Sequence, residues 1–134
     1  MGIMDGFTLT PTLDPLSPTG VYIPANLEDC FLELDKMLPA RLQESLRSAS
    51  EIDLSDHHFG LGLWMRNNWR LWSASSRLRQ YFVQLGVHHA DSISSLILAS
   101  YWRYLNGRPL ELPRQLVYDK IQRSEIEKGP RPSN

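Results

Sequence analysis

The residue types with the greatest chemical potential are concentrated in the centre of the chain, between Asp56 and Asp91. Residues 57–90 contain all four histidines, three of the four tryptophans and four arginines, but no acidic residue. Imidazoles can ligate metals or transfer protons, guanidinium groups pair with phosphates and carboxylates, and indole rings stack on bases or fill pockets. The composition of this central segment indicates where a site should be sought, without fixing its chemistry.

The spacing of these residues argues against catalysis and metal binding. The histidines form two adjacent pairs, at 57–58 and 88–89, and neighbouring helical residues point about 100° apart, so a pair does not chelate one ion. Cys30 is the only thiol, and it lies in an apolar helical stripe where an inert buried thiol is the common outcome. Phosphate-loop, nucleophile-elbow and HExxH motifs are absent. We therefore predict a protein that is not an enzyme and that uses neither cofactor nor metal.

Charge is divided unevenly along the chain. Residues 1–56 carry ten acids against three bases, a net charge of −7, whereas residues 57–90 sum to +4 and residues 91–134 to +2. One interpretation is that the acidic third packs against the basic centre, and the other is that a charged partner binds. A sequence pI of about 6.4 argues against nucleic acid as that partner, because most such domains are strongly basic.

Length and cysteine content indicate one domain in a reducing compartment. The chain has 134 residues, a typical domain size, and one cysteine, which excludes an internal disulfide framework. It has no apolar run long enough to span a membrane and no secretory pattern at its N-terminus. We expect a cytoplasmic protein that does not bind membranes.

The pattern of apolar residues predicts an all-α fold, a compact bundle of five to six short helices with an extended Pro-rich N-terminal arm. Residues 1–22 form the arm, because the four prolines and three glycines of residues 1–24 leave no room for a helix there. Residues 23–108 form the helical core domain, 109–128 a C-terminal helix and 129–134 a disordered tail.

Capping residues set the predicted helix limits. The predicted starts are Asn26 for the first helix, Pro39 for the second, Ser55 or Asp56 for a third helix over about 57–70, Ser75 or Ser76 for the fourth and Asp91 for the fifth. Gly86 should end the fourth helix in the left-handed conformation. The third helix carries large apolar groups on several sides, so we expect it at the centre of the bundle.

The third helix also contains residues that disfavour helix, which points to a packing role. Gly60 and Gly62 each cost about 1 kcal/mol relative to alanine, so a neighbouring backbone or ring should approach them closely. Arg66, Asn67 and Asn68 cannot all face solvent, and at least one should be buried and bond the backbone of a neighbouring loop. We predict a structural motif made of His58, Gly60, Gly62, Trp64, Arg66, Asn67, Trp69 and Trp72.

The run His58-Phe-Gly-Leu-Gly-Leu-Trp-Met-Arg-Asn-Asn-Trp-Arg-Leu-Trp72 resembles a family of small uncharacterised bacterial proteins with the pattern HFGxGxWxRNNWxLW. The same family is matched by Ile23-Pro24, Leu27-Glu28-Asp29 and Ser100 to Gly107, so the resemblance covers about 22–108. It implies no activity. By analogy with other small soluble bacterial proteins, it suggests a toxin-neutralising partner.

The function expected from the sequence is a non-catalytic protein-binding module, such as a bacterial immunity protein that neutralises a cognate toxin. Two faces could bind the partner. The acidic candidates are Glu28, Asp29, Glu33, Asp35 and Glu44, and the basic candidates are Arg70, Arg77 and Arg79. The alternatives are a nucleic-acid or anionic-ligand binding protein that uses the central Arg and Trp residues, and an enzyme with a site around His58, Arg66 and Asn67.

Overall fold

The described residues form six α-helices with short connections. The computed structural model describes residues 3–4, 6–54 and 58–128, and for residues 3, 4, 58 and 59 it describes the backbone alone. The helices are α1 (Leu27–Met37), α2 (Ala40–Ser48), α3 (Leu63–Asn68), α4 (Arg77–Gln84), α5 (Ala90–Leu105) and α6 (Leu112–Lys128). The prediction of an all-α bundle is confirmed.

The centre of the bundle is α5, which contacts every other helix. Its apolar residues Ile93, Ile97 and Tyr101 are fully buried, and the small residues Ser94 and Ser100 are buried between them. Short side chains let neighbouring helices approach α5 from several sides, which a helix of bulky residues would prevent. The sequence assigned this central position to the helix around 57–70, and that prediction was wrong.

Local capping chemistry set most helix limits as predicted. The Asn26 side chain accepts a hydrogen bond from the Asp29 N–H at 2.9 Å, the Ser76 Oγ accepts one from the Arg79 N–H, and Gly86 has a φ of +93°. Pro39 was predicted at the first position of the second helix, but it is the N-cap of α2, which begins one residue later, at Ala40.

The predicted cap of the fifth helix was wrong. His89 is the N-cap of α5, and Asp91 lies within its first turn. Asp91 Oδ1 lies 2.5 Å from Arg123 Nη2, so the carboxylate links α5 to α6 and does not cap α5.

The predicted third helix is built in two parts. Residues His58–Gly62 form a π-helical turn that continues directly into α3. Gly62 is buried and the turn packs against α5, as expected for glycines that permit close helix packing. The predicted caps Ser55 and Asp56 lie outside the described residues.

The described part of the N-terminal arm lies against the bundle and folds back on itself twice. Its strands Ile3–Met4 (β1) and Phe7–Thr8 (β2) pair antiparallel, with Ile3 opposite Thr8, and an isolated bridge joins Leu13 to Val21. Leu9 and Val21 are buried in the core. The predicted disordered tail, 129–134, lies outside the described residues. Within the described part of the chain, every helix is too short or too polar to cross a bilayer.

Candidate functional site

The acidic residues predicted on α1 do not form an exposed face. Glu33 is buried, and its two carboxylate oxygens accept hydrogen bonds from the N–H and the hydroxyl of Thr12, at 2.7 and 2.9 Å. Its position on α1 is the one that the arm covers, so the carboxylate fixes the arm instead of facing solvent. The prediction that Glu33 belongs to a partner-binding surface is therefore incompatible with its burial.

Two further acidic residues of α1 hold tyrosine hydroxyls. Asp29 Oδ2 accepts hydrogen bonds from the Tyr22 hydroxyl and, at 2.9 Å, from the Ala25 N–H. Asp35 accepts one from the Tyr101 hydroxyl at 2.9 Å and one from the Tyr104 hydroxyl at 2.6 Å. These carboxylates join the arm and α5 to α1. The other two acidic candidates, Glu28 and Glu44, are exposed, and Glu44 pairs with Arg47.

The same contacts raise the pKa values of the three tyrosine hydroxyls. Burial, followed by the hydrogen bond to Asp35, raises the pKa of Tyr101 well above its ordinary value. The hydrogen bonds to Asp29 and Asp35 raise the pKa of Tyr22 and of Tyr104, respectively. The hydroxyls therefore stay protonated and donate over the physiological pH range. None of these tyrosines was among the predicted site residues, although the spacing of Tyr101 and Tyr104 places both on one face of α5.

Two of the basic candidates bond backbone carbonyls. The Nε and Nη2 atoms of Arg77 donate to the Ile23 carbonyl at 2.9 and 2.6 Å, and its guanidinium lies over the Tyr22 ring. Arg79 donates to the carbonyls of Leu71 and His88. Arg77 thus anchors the arm to α4, and Arg79 fixes the loops on either side of α4.

The polar run of α3 is less buried than predicted. Arg66 and Asn68 are half-buried and Asn67 is exposed. Arg66 Nη1 donates to Ser94 Oγ on α5 at 2.8 Å, and the Asn68 side chain donates to the Trp64 carbonyl of its own helix. The expected side-chain bonds to the backbone of a loop come instead from Arg77 and Arg79.

The histidines and the cysteine were considered above as possible catalytic groups. His57 and the side chain of His58 are outside the described residues, whereas His88 and His89 are exposed. Cys30 is fully buried, and burial raises the pKa of its thiol, which disfavours the thiolate that nucleophilic chemistry requires.

The three tryptophans of the motif have three different environments. Trp69 is fully buried and contacts the half-buried Trp64 edge to face, with ring centroids 5.9 Å apart. Trp72 is 59% exposed, contrary to the prediction that it helps to build the core. The neighbouring Leu71 is buried in its place. Tryptophan is enriched among the residues that dominate the binding energy of protein interfaces.

A groove of about 420 Å³ separates the arm from the segment that precedes α4. We call it the arm groove. It is lined by Asp14, Ser17, Pro18, Tyr22 and Ile23 on one side and by Arg70, Ser75, Ser76 and Arg77 on the other. The guanidinium of Arg70 lies 5.5 Å from the centre of the Trp72 ring, so the exposed tryptophan contacts a residue that lines the groove.

Arg70 has a backbone conformation that favours glycine. Its φ is +51°, and the Leu71 N–H that follows it donates to the Arg66 carbonyl, which is the Schellman arrangement at the end of α3. A left-handed conformation costs a non-glycine residue about 1–2 kcal/mol. Strain of this kind is concentrated at functional sites in proteins, and here it directs an arginine toward Trp72 and the groove.

Two replacements of Arg70 should separate the energetic cost of its left-handed backbone from the contribution of its side chain. Both Arg70→Gly and Arg70→Ala remove the guanidinium, but glycine alone relieves the left-handed backbone. We expect the glycine variant to be more stable than the alanine variant by about 1 kcal/mol, measured by urea denaturation. Equal stability of the two variants would contradict a left-handed conformation at this position.

The fold and the groove together define a class, a small all-α protein with a basic groove between an N-terminal arm and a helical bundle. The chain belongs to the family DUF6794, a domain of unknown function, whose model matches residues 23–105. Comparisons with curated proteins and with solved structures found no match. The expected membership of an uncharacterised family is confirmed. The matched region includes Arg70, Trp72 and Arg77, but not the arm residues that precede Ile23 or helix α6.

Proposed function

We propose that this protein is a non-catalytic binding module that holds an acidic segment of a partner protein in the arm groove. The observation that carries the proposal is the exposed Trp72, whose ring lies over the guanidinium of Arg70, one of the two arginines that line the groove. Tryptophan and arginine are the residues that most often dominate the energy of protein interfaces.

The charges of the groove favour a carboxylate-bearing ligand. Arg70 and Arg77 contact a serine hydroxyl, a carbonyl and aromatic faces, and neither forms an ion pair with a carboxylate of the described residues. The N-terminus of α4 opens beside them and adds a positive partial charge. A guanidinium bound to neutral groups can still attract an incoming carboxylate, and bidentate pairs of this kind are strong.

Protein fits the groove better than nucleic acid. Binding of a nucleic acid requires several phosphate contacts along a basic track. Arg79 is committed to two carbonyls, and the carboxylate of Asp14 lines the same groove as the two arginines. A mixed site of this kind suits a peptide with both acidic and polar groups.

The finer form of the proposal is an immunity protein of bacterial origin that neutralises a toxin. A prearranged site supports it, because Arg77 holds the arm and Glu33 fixes it to α1 before any partner binds. A site that is ordered in advance loses little entropy on association, which suits tight inhibition of a partner protein.

Two measurements test the proposal. The full-length chain, immobilised, should capture a protein from a lysate of its native host, and Trp72→Ala and Arg70→Ala should each reduce the amount captured by roughly tenfold or more. In parallel, a labelled oligoglutamate should bind the wild-type chain more tightly than a labelled single-stranded DNA of equal charge at the same salt concentration.

Arg108→Ala is the matched control. The Arg108 guanidinium also lies over a tryptophan, 4.8 Å from the centre of the Trp102 ring, but Trp102 is buried and far from the groove along the chain. This variant should retain full capture. Capture that is unaffected by both groove variants, or that nuclease treatment abolishes, would contradict the proposal.

A further inference from the structure

Helix α6 carries apolar side chains on two opposite faces. Leu112 and Leu116 face the bundle, where Arg123 also anchors the helix through Asp91 and the Ser92 hydroxyl. On the outward side lie Val117 and Ile121, which are 59% and 55% exposed, and Tyr118, which is 65% exposed and also borders the cleft between α6 and α5. A solvent-facing helix normally presents polar groups there, so three adjacent large apolar residues indicate a surface that is covered by another molecule.

Charged residues border this outward face in a self-complementary order. Arg114 precedes the apolar residues and Glu125 follows them, and both side chains are exposed. Together with Tyr118 and Ile121 they follow the alternating four- and three-residue spacing of a coiled-coil seam. From the N-terminal to the C-terminal end of α6, the seam therefore consists of a positive residue, two apolar residues and a negative residue.

We propose that the outward face of α6 binds a second copy of this chain, with the two α6 helices antiparallel. In that orientation Tyr118 of one copy lies opposite Ile121 of the other, and Arg114 lies opposite Glu125 at both ends. A parallel pair would instead place like charges together, which is destabilising. Charge complementarity thus selects both the occupant and its direction.

Charges at the two ends of α6 continue the pattern. Arg114 lies 3.5 Å from Glu111, and Lys128 lies 3.9 Å from Glu125. The Lys128–Glu125 pair is solvent-exposed and contributes little stability, so sharing it with a second copy costs little, whereas Glu111 also pairs with Arg103 at 3.1 Å. The antiparallel arrangement also brings Glu111 of one copy toward Lys128 of the other.

The length of α6 sets the strength of association. Its 17 residues span about 25 Å, enough for a single helix pair. Such an interface is at the small end of specific protein–protein contacts, so the dimer is expected in the micromolar concentration range. Helix α6 lies outside the region that the family model matches.

Sedimentation equilibrium of the full-length chain, from a few micromolar to several hundred micromolar, tests the proposal. We expect a reversible monomer–dimer equilibrium that Ile121→Glu weakens by roughly tenfold or more. Leu32→Glu is the matched control, because Leu32 on α1 is 59% exposed, close to the 55% of Ile121, but lies on a different helix, and it should leave the equilibrium unchanged. Circular dichroism establishes that each variant is folded.

Reversing the charges of Arg114 and Glu125 tests the antiparallel orientation of the two α6 helices. Arg114→Glu and Glu125→Arg should each weaken the dimer, whereas the double variant should restore it, because opposite charges again face one another in an antiparallel pair. An equimolar mixture of the two single variants should form a heterodimer. A chain that stays monomeric at the highest concentration, a dimer that persists in Ile121→Glu, or a double variant that remains weak would overturn the proposal.

Discussion

Replacement of Trp69 by alanine should lower the free energy of unfolding by about 3–5 kcal/mol. The indole is fully buried at the end of α3, where it contacts Trp64 edge to face, and truncation would leave a large cavity. The aromatic contact adds about 0.5–1.5 kcal/mol to the loss of burial. Since a typical domain is stable by only about 5–15 kcal/mol, the variant should unfold at a much lower urea concentration, as followed by circular dichroism.

Trp72→Ala is the matched control for this experiment. It removes the same side chain three positions later, but Trp72 is mostly exposed and its main contact is the Arg70 guanidinium. Its stability should fall by less than about 1 kcal/mol. If Trp69→Ala does not fold, Trp69→Phe serves instead, with an expected loss of about 1–2 kcal/mol. Comparable stability losses for Trp69→Ala and Trp72→Ala would contradict their assigned environments.

The contrast between these tryptophans shows a limit of sequence periodicity. Helical spacing places His58, Gly62, Met65 and Trp69 in one row and would continue it to Trp72. The chain instead leaves the helix at Trp69 and turns at Arg70, whose positive φ is not signalled by a glycine or an asparagine. The turn exchanges the roles of the next two residues, so Leu71 is buried and Trp72 is exposed.

Helix limits were predictable because capping is local. The bond between Asn26 and the Asp29 N–H joins residues three apart, and the left-handed Gly86 ends α4 by its own conformation. The partners of the carboxylates were not predictable in this way. Glu33 bonds Thr12, 21 positions away, and Asp35 bonds Tyr101, 66 positions away. Such pairings depend on how the helices pack, which residue spacing alone does not determine.

Asp35 is the second residue whose removal should have a large effect. Asp35→Ala takes the acceptor from the hydroxyls of Tyr101 and Tyr104, and the Tyr101 ring is fully buried. A buried hydroxyl that loses its charged acceptor costs several times more than an exposed one. We expect the free energy of unfolding to fall by about 2–4 kcal/mol. Urea denaturation of the full-length chain measures it.

Three variants separate this hydrogen-bond network from simple loss of packing. Asp35→Asn keeps an acceptor oxygen and should lose less stability than Asp35→Ala. Tyr104→Phe removes the more exposed hydroxyl and should cost less than about 1 kcal/mol. The double variant Asp35→Ala with Tyr101→Phe removes both partners, so its loss should be smaller than the sum of the two single losses. Strict additivity would show that the two groups do not interact.

The same contact predicts a loss of stability in alkaline solution. Burial and the bond to Asp35 raise the pKa of Tyr101 in the folded chain above the value of about 10 that it has when unfolded. The folded state therefore holds its proton more tightly, and its stabilisation is complete below about pH 10 and declines as the pH rises further. Urea denaturation at about pH 8 and about pH 11 should show the decline in wild type. The decline should be smaller in Asp35→Ala, because the hydrogen bond to Asp35 is the main cause of the raised pKa of Tyr104, whereas burial still raises the pKa of Tyr101. An equal decline in both would mean that Asp35 does not raise the pKa of Tyr104.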